Sequence, residues 1–103
     1  MRILKEKTLI ELVVSNKYSA ATEPIKAWIF EVRKAEWNNS GQLKANYRNA
    51  SIIGNKRVVF NIKGNDFRLI ADVEYKLKIV FIVWFGTHKE YGEIDVKTIR
   101  YEK

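Results

Sequence analysis

The stretch Ile79-Val80-Phe81-Ile82-Val83-Trp84-Phe85 has no polar side, because residues of both parities are apolar. A half-exposed strand alternates apolar with polar residues, so a run without alternation is covered on both faces, or nearly so. Such a strand is expected to be central in its sheet. A short turn near Lys76 and Leu77 makes it antiparallel to the segment before it. Its aromatic residues are read as core packing, and Trp84 and Phe85 are not read as a platform for stacking bases.

Upstream, Arg57 to Lys63 and Phe67 to Tyr75 do alternate as half-buried strands. Between them, Gly64-Asn65 suits a two-residue hairpin loop, since Gly accepts positive φ without a Cβ clash and Asn follows it comfortably. That loop sets the register: Ile62 faces Phe67, Phe60 faces Leu69 and Val58 faces Ala71. All the large apolar residues of both runs except Val59 and Ile70 then share one face. The other face carries Asn61 across from Arg68, and Arg57 across from Asp72. A slip of one residue would bury the Arg68 guanidinium unpaired, so Arg68 points outward.

Two helices are expected ahead of these strands. Thr8-Leu9-Ile10-Glu11 has the spacing of a capping box and predicts a helix from about Leu9 to Tyr18. Ile25, Trp28, Ile29, Val32 and Ala35 form one apolar stripe, on a helix capped by Ser19 or Thr22, with Pro24 in its first turn and an end near Trp37. Asn38-Asn39-Ser40-Gly41 supplies breakers. Leu43 to Tyr47 suits one more helical turn, Asn49 to Gly54 a short strand or loop, and Asp95 to Lys103 a final strand, a short helix or a mobile end. Helices first and an antiparallel sheet afterwards predict an α+β domain with the helices on one face. Residues 1–103 read as a single domain, with no linker, repeat or low-complexity tract to divide them. The chain has no cysteine, signal-peptide pattern or apolar run near the roughly 20 residues of a membrane span, so a cytoplasmic protein is expected.

The formal net charge of +7 is unevenly placed. Residues 39–92 hold nine basic side chains against four acidic ones, whereas residues 93–103 are neutral and residues 1–38 nearly so. The excess therefore belongs to the sheet half. Clustered Lys and Arg bind phosphates with release of counterions; a solvated surface that serves solubility is the alternative. The same half contains the only histidine, His88, within Gly86-Thr87-His88-Lys89-Glu90-Tyr91 at the end of the apolar strand. One imidazole, one ammonium, one carboxyl and one phenol delivered to a strand end suggest a scaffold feeding a site.

Leu43-Lys44, Asn49-Ala50-Ser51-Ile52, Arg57 through Asn65, Arg68-Leu69 and Gly86 through Tyr91 together resemble the HigB family of bacterial type II toxins. Lys26-Ala27-Trp28 to Trp37 matches as well, so the resemblance covers nearly the whole chain. Its specific part is Val59-Phe60-Asn61-Ile62-Lys63-Gly64-Asn65 followed closely by Arg68, with Thr87-His88-x-x-Tyr91 downstream. The resemblance implies a RelE-like fold, with two N-terminal helices packed on a small, mainly antiparallel twisted sheet. It implies a toxin of a type II toxin-antitoxin system that cleaves messenger RNA, usually in the ribosomal decoding site. A HigA-type helix-turn-helix antitoxin would neutralise it and bind the operator of the shared operon; no cofactor is implied.

The chemistry implied needs no metal, because the 2′-hydroxyl of RNA can attack its own neighbouring phosphate. The protein then supplies a base, an acid and positive charge, each proton-transfer role being worth about 10²- to 10⁴-fold. By the resemblance, His88 is the leading general base or acid, since imidazole ordinarily exchanges its proton near neutral pH. Arg68 is the leading phosphate clamp, its planar fork suiting two phosphate oxygens. Tyr91 stacks on a base or positions the attacking hydroxyl. Lys63, Asn61 and Lys89, with Lys56 and Arg57 at the far end of the first hairpin strand, are candidates for RNA contacts. Each has a plainer reading: a strand-closing hydrogen bond for His88, an ion pair with Asp66 or Asp72 for Arg68, an aromatic lid for Tyr91, and solvation for the lysines. A second class keeps the fold without the chemistry, as a module that binds RNA or inhibits a protein target, as in the gyrase-inhibiting branch of the superfamily. A third reading is an RNA-binding housekeeping domain without toxicity.

Overall fold

A computed structural model of the chain describes residues 1–54 and 56–100. Five strands, β1 (Arg2–Leu4), β2 (Ser51–Ile52), β3 (Arg57–Ile62), β4 (Phe67–Glu74) and β5 (Ile79–Thr87), form one sheet in the order β1-β5-β4-β3-β2. β1 runs parallel to β5, and all other neighbours are antiparallel. Four helices accompany them: α1 (Glu6–Val13), α2 (Thr22–Lys34), α3 (Ser40–Asn46) and α4 (His88–Tyr91). The fold is thus α+β with a mainly antiparallel sheet, as expected.

The β3–β4 register is the expected one, from Ile62 opposite Phe67 to Arg57 opposite Asp72. The loop differs in detail. Its left-handed residues are Lys63 (φ 52°) and Gly64 (φ 64°), not Gly64 and Asn65. The Asp66 amide closes the loop on the Lys63 carbonyl at 3.2 Å.

β5 is interior, but the middle strand is β4, and β1 covers only Ile79 to Phe81 on the other side. Simple alternation also fails along β5. Ala71 pairs with Ile82 while Ile70 pairs with Trp84, which makes Val83 the extra residue of a β-bulge. Beyond it the faces exchange: Phe85 joins the core under the helices, and Trp84 turns to the opposite face.

The helical layer corrects the expected helix start. Thr8 lies inside α1, whose N-cap is Lys5 at φ 72° with no side-chain cap bond. The reason is β1: pairing with β5 carries the chain to Leu4, and it reverses at Lys5, ahead of Thr8. α1 ends at Val13 rather than Tyr18, followed by a 3₁₀ helix over Asn16–Ala21. Neither Ser19 nor Thr22 caps α2; the Thr22 hydroxyl donates to the Val13 carbonyl at 2.6 Å, tying the two helices together. The predicted stripe is buried, with Ile25, Trp28, Ile29 and Val32 packed on the sheet. Each such aliphatic residue contributes roughly 1.5–3 kcal/mol by burial. α3 is capped by Asn39, whose side chain accepts from the Gln42 amide at 2.9 Å.

The opposite face of the sheet carries a smaller cluster, Val59, Ile70 and Val83, covered by Tyr91, Ile94, Val96 and Ile99. Of the expected terminal element, residues 95–100 form neither strand nor helix but cross this face, and 101–103 lie outside the described residues. Arg57 holds the segment down. Its Nε and Nη2 donate to the two Asp72 carboxylate oxygens, both at 2.8 Å, and Nη1 donates to the carbonyls of Val96 (3.1 Å) and Ile99 (2.5 Å). Arg57→Ala is expected to lower the unfolding free energy by about 2–3 kcal/mol, since charge-assisted bonds to largely covered partners are lost. Urea unfolding measures this, with a smaller loss for Asp72→Asn, which leaves both carbonyl bonds. Equal midpoints for Arg57→Ala and the parent would disprove the clamp.

Candidate functional site

At the hairpin end, above the covered cluster, the ladder sets Asn61 beside Arg68 and Arg68 beside Gly86. Gly86 is a requirement of packing. A Cβ there would lie 2.5 Å from the Trp84 ring and 2.9 Å from a Glu90 carboxylate oxygen. The bulge brings Trp84 to this face, and its ring meets that of Tyr91 at a centroid distance of 6.3 Å.

α4 begins where β5 ends because Thr87-His88-Lys89-Glu90 is a working capping box. The Thr87 hydroxyl accepts from the Glu90 amide at 3.1 Å, and the Glu90 carboxylate accepts from the Thr87 amide at 2.9 Å. The signature that failed at Thr8 holds here. Glu90 also accepts from the Tyr18 hydroxyl at 2.8 Å and pairs with Lys17. Burial alone would raise its pKa, but the bonds from Lys17, the Thr87 amide and Tyr18, with the Lys17 charge, hold it down at about 2. Tyr18 in turn packs edge-on against Phe67 and Phe85. The carboxyl that the sequence placed among candidate site groups therefore anchors α4 to the helical layer. Nothing local in the sequence joins Lys17 and Tyr18 to Glu90; the Thr-x-x-Glu spacing at 87–90 was the one available signal.

Arg68 and Tyr91 are brought together, the guanidinium carbon standing 5.7 Å from the phenol ring centroid. Arg68 Nη1 donates to the carbonyls of Asn65 (2.9 Å) and Phe67 (3.2 Å). Among the described residues no carboxylate pairs with it, and Nε and Nη2 make no protein hydrogen bond. His88 is exposed one helical turn before Tyr91, and its amide donates to the Asp66 carbonyl at 3.0 Å. Among the described residues its imidazole makes no hydrogen bond or ion pair, and the contact that the structure shows among the three predicted groups is that of Arg68 with Tyr91.

The other predicted residues divide. Asn61 donates to the Asn65 side chain at 3.3 Å, Lys63 pairs loosely with Asp66 at 3.7 Å, and Lys89 is exposed on α4. Lys56 and Arg57 lie at the opposite end of the hairpin, about 13 Å away at strand rise. Lys56 pairs with Glu74 at 2.5 Å. Arg57 is engaged through Nε, Nη1 and Nη2 by the Asp72 carboxylate and the Val96 and Ile99 carbonyls, which gives it a structural role. Among the described residues no three His, Asp or Glu side chains converge, and no helix is long and apolar enough to cross a membrane.

The chain is thus a small basic α+β domain with Arg68 and Tyr91 in contact at the hairpin end of its sheet. Comparison with known families matches residues 21–94 to the HigB toxin family, the RelE-like toxic component of a toxin-antitoxin system. The chain belongs to that family, and an antitoxin is the partner that membership implies. No curated protein matched the chain.

Glu90 gives a pH prediction. Its pKa in the fold, about 2, lies below the ordinary 4.5, so the unfolded chain takes up the proton first as pH falls. Its contribution is complete above about 4.5 and drains as pH drops toward 2. Glu90→Gln is expected to flatten that part of the stability profile, read as urea midpoint against pH. An unchanged slope would count against the anchor.

Proposed function

We propose that this toxin is a metal-independent endoribonuclease that cuts messenger RNA on the ribosome and is neutralised by a HigA-type antitoxin. The observation that carries the reading is Arg68, held over Tyr91 with two guanidinium nitrogens unclaimed, at the corner where β5 delivers His88. Arg68 binds the scissile phosphate and neutralises charge as the phosphorane forms. His88 takes the proton from the attacking 2′-hydroxyl or gives one to the leaving 5′-oxygen, as the P–O5′ bond breaks to leave a cyclic phosphate and a free 5′-hydroxyl. Tyr91 stacks against the neighbouring base or positions the attacking hydroxyl. Asn61, Lys63 and Lys89 line the approach of the RNA backbone, and Lys56 is a more distant contact with ribosomal RNA. The exposed imidazole becomes oriented when substrate and ribosome close around it.

The test is to induce the wild type, His88→Ala and Arg68→Ala, and map 5′ ends of cellular messenger RNA. Arg68→Ala is expected to cut about 10²- to 10³-fold more slowly, and His88→Ala about 10²- to 10⁴-fold, with both variants folded. Growth arrest by the wild type without new codon-phased ends would replace cutting by blocking. Undiminished cutting by both folded variants would move the site elsewhere.

A further inference from the structure

Beside the Asn61–Arg68–Gly86 row, the outer edge of β3 opens onto a cleft of about 260 Å³. β2 pairs with β3 only at Val58 and Val59, so no strand lies next to Phe60 and Asn61. The facing wall is the loop between α3 and β2, and it is built to hold still. The Lys44 ammonium donates to the carbonyls of Arg48 (2.7 Å) and Ala50 (2.5 Å), and the Ala50 amide donates to the Tyr47 carbonyl at 3.0 Å. Tyr47 packs edge-on against Phe60 and donates its hydroxyl to Glu31 at 2.7 Å. Against this fixed backbone, Arg48 and Asn49 are exposed residues that line the cleft, and no hydrogen bond or ion pair engages either side chain among the described residues. Idle polar side chains on a rigid loop suit recognition of a polar ligand.

We propose that the cleft is a base-recognition subsite for the nucleotide next to the scissile phosphate, an inference that rests on the ribonuclease reading. Strands lie about 4.8 Å apart, so the cleft lies within about 10 Å of Arg68 across β3, a reach that the sugar and base of one nucleotide cover together. The cleft lies below the roughly 300–1,000 Å³ of drug-sized sites, which fits one base. A primary amide both donates and accepts, as the edge of an unstacked base requires. Asn49 reads that edge, and Arg48 holds the phosphate of the same nucleotide.

The probe is a set of four oligoribonucleotides that differ only in the base beside a linkage blocked by 2′-O-methylation, varied first on its 5′ and then on its 3′ side. Binding is measured with and without ribosomes, on proteins with matched urea midpoints. The wild type is expected to prefer one base by at least about fivefold, and Asn49→Ala to abolish that preference. Arg48→Ala is expected to weaken all four alike and lower the salt slope by about one. Equal binding of the four by the wild type, or a preference that survives in Asn49→Ala, overturns the proposal. So does a loss confined to antitoxin neutralisation, which would make the cleft a protein contact. Cutting of unmodified RNA is scored separately: base preference without cutting removes the nuclease reading and leaves the subsite.

Discussion

A sheet covered on both faces must send apolar side chains both ways from its interior strands, and in β5 one inserted residue decides which go where. Val83 has no partner of its own on β4, and its insertion exchanges the parity of all that follows. Phe85 thereby stacks on Phe67 beneath the helices, while Trp84 turns to support Tyr91. Bulges commonly re-aim side chains beside functional sites. Here the shift also places Gly86 opposite Arg68, so that the guanidinium lies over the Tyr91 phenol, which in turn meets the Trp84 indole.

The charges of the chain divide between architecture and availability. Arg57 with Asp72, Lys17 with Glu90, and Arg33 with Glu6 bind segments distant in sequence to one another. Arg68, Arg48 and Lys89 have no acidic partner among the described residues. These three lie at the hairpin end or on the loop and short helix flanking it.

Most of the scaffold was legible in the sequence because its determinants are local or periodic. The hairpin register follows from alternation plus one turn, and it put Arg68 outward and Arg57 beside Asp72. The stripe from Ile25 to Val32 likewise needs only a helical period. β1 escaped because three residues have no period, and they are strand only through pairing with Ile79 to Phe81. The bulge escaped because an all-apolar run hides its own phase. Of the candidate site residues, sequence named Arg68 and Tyr91, which meet, and His88, which begins the short helix that carries Tyr91. It could not separate the spent Glu90 and Arg57 from the available groups, because their partners Tyr18, Val96 and Ile99 are fixed by tertiary packing alone.

The grip of Arg57 on the C-terminal segment runs through main-chain oxygens, which every amino acid carries. Such a fastening is blind to side-chain identity at its points of attachment. Exchanges at the exposed Lys97 and Thr98 therefore leave the path of the segment unchanged, whereas loss of Arg57, Asp72 or the apolar residues beneath it releases it.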